Sequence, residues 1–233
     1  MSKFVTVLTS QVGRKLLTGL TGIALSLFVI GHLLGNLQLL IGADMFNKYA
    51  HNLSSLGPIL WLIEVALVAV FALHAVIGVS IYQKKKKARS VNYSVYNSAG
   101  KASYQTSSSR SMIVTGTVLL IFLVIHVATF KFGVGLPEYT TVVDGVEMKD
   151  LYRNVYEVFQ NPIYVALYVG VMVLLGMHLR HGAWSSIQSL GALNKTYRST
   201  VYTVGVALAI IIALGFLVLP VWLYIYGITK GAM

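Results

Sequence analysis

Five long apolar stretches constrain this 233-residue chain more than any other feature. They cover roughly residues 16–41, 59–83, 111–130, 162–186 and 201–228. Each is long enough to cross a hydrocarbon core, which takes about 20 helical residues. With the fourth counted to Leu179, before its run-on to 186, only Glu64 places a formal charge inside any of them. The chain is 56% hydrophobic and 11% charged, whereas a soluble domain is about a quarter charged. A water-soluble enzyme is thereby excluded. The expected architecture is an all-α integral membrane protein, one domain of five transmembrane helices in a bundle. The first stretch is too long for a signal-peptide core and no small-residue cleavage pattern follows it, so it is read as a helix of the mature protein. Gly57-Pro58 and Asn161-Pro162 are helix starts, because proline fits the first helical turn. Pro220, late in the last stretch, is expected to kink its helix.

The formal charge of +11 reports orientation rather than a nucleic-acid partner, because its distribution is lopsided. Lysine and arginine favour the cytoplasmic side of a membrane. The N-terminal arm (Lys3, Arg14, Lys15), the second loop (Lys84 to Lys87, Arg89, Lys101, Arg110) and the fourth loop (Arg180, Lys195, Arg198) hold thirteen of the eighteen basic residues. The opposite side holds Lys48, Lys131, Lys149, Arg153 and Lys230, with six of the seven acids. With five spans, this places the N-terminus in the cytoplasm and the C-terminus outside. Residues 88–110, rich in Ser, Tyr and Asn, read as a solvated loop. In 133–160, Asp144-Gly145 signals a turn. Leu151, Val155 and Phe159, with Tyr152 and Tyr156, then fall at the spacing of a short helix on the outer interface.

Four of the six histidines lie within spans, one on each of the first four: His32, His74, His126 and His178. A lone histidine in such a place most often hydrogen-bonds a neighbouring helix. Four on four helices need a common explanation, since intramembrane ionisable groups are uncommon and usually functional. At the helical rise, His32 and His126 lie about 25 and 22 Å from the inner ends of their helices, and His74 and His178 about 14 and 12 Å. The histidines therefore form two pairs at two depths, His32 with His126 and His74 with His178. No cysteine occurs, so disulfides, zinc–thiolate sites, iron–sulfur clusters held by this chain and thiol catalysis are excluded. Two imidazoles from facing helices suit the two axial positions of a haem iron. A zinc or copper site normally takes a third or fourth ligand. Gly31 and Gly35 beside His32, and Gly78 and Gly182 four residues after a histidine, leave room for a flat macrocycle, although glycine is common in membrane helices anyway. Propionates at the inner edge would meet Arg14, Lys15 and Thr18, with Arg110 a weaker candidate; lipid headgroups are the alternative partners of these cations. His181, one turn from His178, reads as an interfacial residue.

Filled axial positions imply electron transfer, and two haems at two depths imply a relay between the faces. A chain without clusters or a soluble domain then needs a soluble redox partner at its basic inner face. At the outer face the natural small carrier is a quinone, whose reduction takes up protons. Glu64, about one and a half turns inside the outer end of the second span, is the leading candidate to handle them. A structural hydrogen bond is its alternative role. Asn47, Lys48 and His51 are candidates for a quinone carbonyl or the outer propionates, with ordinary loop solvation the alternative.

These residues resemble the di-haem cytochrome b subunit of succinate:quinone oxidoreductases, the succinate dehydrogenases and fumarate reductases of complex II. The resemblance covers almost all the chain: Arg14-Lys15 and Thr18 ahead of Ile30-Gly31-His32, Phe46-Asn47 followed by His51 and Ser54-Ser55-Leu56, His74-Ala75-Val76, His126, and His178 followed by Gly182 and Trp184. It implies two haems b, with His32, His74, His126 and His178 as their iron ligands. The proximal haem would face a cytoplasmic flavoprotein subunit and iron–sulfur subunit, which alone carry FAD and the clusters. The distal haem would lie near a menaquinone site where a glutamate placed like Glu64 is expected. The resemblance further implies a prokaryotic cytoplasmic membrane, and no succinate chemistry by this chain itself. A nitrate-reductase-type cytochrome b would draw its ligands from two helices rather than four. A haem-free proton-coupled transporter is the alternative of another class.

Overall fold

A computed structural model describes residues 10–88 and 106–229. Lys3, Arg89, Lys101, Lys230 and most of the 88–110 loop lie outside the described residues. Five helices within them are long and apolar enough to cross a membrane. In chain order the elements are α1 (Gln11–Asn36), α2 (Ala43–Ser54), α3 (Pro58–Lys87), α4 (Ser107–Arg110), α5 (Met112–Phe130), β1 (Thr140–Val143), β2 (Val146–Lys149), α6 (Leu151–Val158), α7 (Pro162–Ser189) and α8 (Arg198–Thr229). The spans are α1, α3, α5, α7 and α8.

Local chemistry sets where they start. The Ser10 hydroxyl accepts from the Gly13 amide at 3.0 Å and caps α1. Pro58 and Pro162 open α3 and α7, where the missing N–H costs nothing. The Asn161 side chain accepts from the Ile163 amide at 2.9 Å. α8 runs on through Pro220 to Thr229.

Between the spans lie elements that the apolar pattern did not announce. A 3-10 turn, Leu37–Leu40, ends α1, and the chain turns at Gly42, whose φ of 146° disfavours any side chain. Residues expected to be loop, Asn47, Lys48 and His51 among them, are instead in helix α2. The Asp144-Gly145 turn is present, with φ of 52° and 78°, as a two-residue hairpin loop needs. It joins two strands in register Thr140↔Lys149 to Val143↔Val146. The fold is thus all-α apart from this small ribbon. The expected short helix is α6, and Asn154, Val155 and Val158 are buried.

Two apolar clusters hold the bundle. Leu33, Leu179, Ala209 and Ile212 tie α1 to α7 and α8. Leu39, Phe46, Val155, Phe159, Tyr168, Leu219 and Leu223 fasten α2 and α6 to one end of the bundle, called the cap end here. The other, the lysine end, carries Lys84 to Lys87 in the last turn of α3. α7 and α8 make the most extensive helix pair. A Cβ added at Gly176 would lie 2.9 Å from that of Ala213, so the approach depends on a small residue. By contrast α3 displays Leu62, Val65, Val68, Leu73 and Val76 outward, as a lipid-facing helix does.

Candidate functional site

His32 and His126 each stand one turn before the cap-side end of their helices, α1 and α5. Their ring centroids are 5.7 Å apart with the planes at 89°. Aromatic rings enclose them: Phe28 and Phe216 lie 5.5 and 5.8 Å from His32, and Phe122 and Phe130 each 5.5 Å from His126. The Tyr168 hydroxyl is 3.2 Å from His126 Nδ1. The Asn36 amide nitrogen donates to the His32 carbonyl at 2.8 Å and lies 3.4 and 3.5 Å from the two ring nitrogens.

His74 and His178 form the second pair, 6.4 Å between centroids and 65° between planes. Each belongs to a proline-started helix, and each lies about 24 Å along it from that proline. Thr21 Oγ1 on α1 is 3.0 Å from His74 Nδ1, and Thr115 Oγ1 on α5 is 3.1 Å from His178 Nδ1. A Cβ at Gly116 would come within 3.2 Å of His178 Cε1, so this ring needs the space that glycine leaves. Thr21 and Thr115 were not singled out in the sequence. The available signal was their shared register: each precedes the pair histidine on its own helix by eleven residues, three turns, on the same face. That spacing separates the two levels by about 16 Å of helix.

The pairs fit the axial ligands of a haem. With a metal–imidazole bond of about 2 Å on each side, two ligand rings have centroids about 6 Å apart, and the observed distances of 5.7 and 6.4 Å lie either side of that. Among the described residues no group of three or more His, Cys, Asp or Glu side chains surrounds a common point.

Elsewhere, Glu64 pairs with Lys131 just beyond α5, and the Lys131 ammonium also lies 5.3 Å from the centre of the Trp61 ring. Nothing in the sequence around Lys131 marks this partnership, because Glu64 is 67 residues away. Asn47 is 1% exposed, and its amide joins two elements. It donates to Asp150 Oδ1 and accepts from the Tyr152 amide, both at 2.8 Å. Lys48 pairs with Asp144 on the surface, and this hydrogen bond holds its ammonium above the ordinary lysine pKa. His51 sits in the last turn of α2. At the lysine end, Arg14 Nη1 donates to Ser80 Oγ on α3 at 3.3 Å, and the Thr18 hydroxyl donates to the Arg14 carbonyl at 2.8 Å. Lys15 and Arg110 are exposed. His181 packs edge-on to Trp184 at 5.5 Å, and its buried Nδ1 has no hydrogen-bond partner among the described residues.

Five helices long and apolar enough to cross a membrane, with histidine pairs facing at two levels between them, define a polytopic membrane protein with histidines inside its bundle. Comparison makes the assignment more specific. The chain belongs to the succinate dehydrogenase/fumarate reductase transmembrane subunit family, whose model matches residues 83–218, more than half of its length. It is similar to the succinate dehydrogenase cytochrome b558 subunit of Bacillus subtilis (strain 168), at 28% identity over 206 residues, 87% of this chain and 91% of that protein. No solved structure matches the chain significantly. The family match includes Thr115, His126 and His178, while Thr21, His32 and His74 precede it.

Proposed function

We propose that this chain is the membrane-anchoring di-haem cytochrome b subunit of a bacterial succinate:quinone oxidoreductase. In this reading His32 and His126 hold one haem b, and His74 and His178 the other. The lysine end faces the cytoplasm, where a flavoprotein and an iron–sulfur subunit dock, and the cap end faces a menaquinone. The observation that carries the proposal is the pair of facing histidine pairs, at two levels, in a member of this family. When bound between two imidazoles, a haem would supply one-electron transfer.

The chain's own residues do the rest. The four imidazoles fix the two levels at which electrons reside, and apolar helices exclude water from both. Glu64, within two turns of the cap-side end of α3, is placed to hold a proton on its carboxylate for a quinone that takes up two electrons and two protons on reduction. Lys131 pairs with that carboxylate, and its ammonium is a donor for a quinone carbonyl. Arg14, with Thr18 and Lys15, supplies cations and a hydroxyl for propionates at the lysine end.

The test is a pyridine haemochrome assay with a reduced-minus-oxidised spectrum, on the complex purified through this chain. Two b-type haems per chain with flavin co-purifying is the expected result. A complex without haem would overturn the reading and leave the histidines as a structural or proton-conducting set.

A further inference from the structure

We infer that Thr21 and Thr115 are positioning residues that fix the tautomer of His74 and His178, leaving Nε2 of each as the free metal-binding lone pair. The inference rests on the haem reading above and adds what sets the electronic character of one of the two sites. A threonine hydroxyl has one proton to give. Thr21 Oγ1 lies 2.7 Å from the Leu17 carbonyl and 3.2 Å from the Thr18 carbonyl, both pure acceptors. Thr115 Oγ1 lies 3.1 Å from the Ser111 carbonyl and 3.3 Å from that of Met112. With the hydroxyl proton directed to its own helix, the oxygen presents lone pairs to the imidazole 3.0 or 3.1 Å away, and Nδ1 donates. A neutral imidazole with its proton on Nδ1 has its lone pair on Nε2.

Two further observations make this a built device rather than two separate contacts. The threonines come from α1 and α5, the helices that carry His32 and His126, and each stands three turns before that histidine. Each of these helices thus gives one ring to the cap-end pair and one hydroxyl to the lysine-end pair. Among the described residues the cap-end pair lacks the matching arrangement: His126 meets a phenol hydroxyl, and the hydrogen-bonding contacts of the His32 ring are the long ones to Asn36. A hydrogen bond from the far ring nitrogen makes an imidazole a stronger donor to its metal. That favours the oxidised iron and lowers its reduction potential.

The experiment is a potentiometric titration of the α-band on the whole purified complex, for Thr21→Val, Thr115→Val and the double variant, each beside the corresponding Thr→Ser. The parent complex is read first, since a parent without haem would defeat the haem reading and this inference with it. Valine variants are expected to keep two haems per chain and to raise the potential of one, the haem that His74→Ala removes. The serine variants are expected to return it to the parent value. Potentials and spectra unchanged in the valine variants would overturn the inference while leaving the haem reading intact. Should a valine variant lose that haem, its retention in the serine variant supports the hydroxyl's role, and loss in both overturns it.

Discussion

Glu64 of α3 and Lys131, the residue that caps α5, form an ion pair at the cap end of the bundle. Both are partly exposed, at 30% and 39% of their side-chain surface, so a small molecule entering between α3 and α5 meets them together. Replacing Glu64 by Gln keeps the shape and removes the proton acceptor. The quinone-linked rate of the complex is expected to fall on the order of 100-fold, the size of a lost acid–base group. Succinate oxidation with a soluble dye, and haem content, should not change. A normal quinone-linked rate would remove Glu64 from the site.

The facing pairs predict which variants share a phenotype. His32→Ala and His126→Ala should each remove the same haem, and His74→Ala and His178→Ala the other, as read from redox difference spectra. Loss of the same haem in His32→Ala and His74→Ala would contradict the pairing.

Asn47→Ala would leave the Tyr152 amide unpaired inside the cap and take one of two donors from Asp150 Oδ1, which keeps the Arg153 amide. Because buried groups left unpaired are costly, the variant should lose about 1–3 kcal/mol. Faster amide exchange should appear in α2 and α6 before the spans. Protection unchanged across 43–54 and 151–158 would show that the apolar cluster alone holds the cap.

Gly176→Val would press a branched side chain against Ala213 of α8, whose Cβ already lies 2.9 Å from where a Cβ at 176 would be. Overpacking of this kind costs about 1–3 kcal/mol. The complex should release its haem at a lower temperature than the parent, whereas Gly170→Val, with nothing near its Cβ, should not.

The Lys48–Asp144 pair gives a pH prediction of definite sign. Since Asp144 raises the Lys48 pKa, the pair's stabilisation is present at neutral pH and disappears as pH rises through the raised value. Thermal midpoints of parent and Lys48→Gln should therefore converge in alkali. They should also lie close together in moderate salt, which screens so exposed a pair.

The spans are legible because hydrocarbon demands a long apolar run, and Pro58 and Pro162 mark two of their starts by local sterics alone. The histidine partners are legible for a similar reason: a constant helical rise converts sequence position into depth, and depth leaves one sensible pairing. What escapes is the polar tertiary contact. Helix α2 has no apolar run of span length, and its Asn47 is explained by Asp150 and Tyr152, 103 and 105 residues away. Lys131 looks like any cation at a membrane edge until Glu64 is seen beside it. Thr21 and Thr115 carry no local mark of function, since hydroxyls bonding back to their own helix are ordinary in membranes.

The spans are unequal in length, and the inequality has a consequence for the lipid. α5 has 19 residues, about 28 Å of helix, while α8 has 32, about 48 Å. The hydrocarbon slab is about 30 Å thick. α5 is therefore the gauge of the protein, with Lys131 standing immediately beyond it. Longer acyl chains would draw that ammonium toward hydrocarbon, and the bilayer would have to thin or the side chain stretch to water. The lysine end has slack, because α3 runs on through four lysines. A change in fatty-acid length thus acts first on the Glu64–Lys131 end, so membrane thickness is a variable that bears on that half of the molecule.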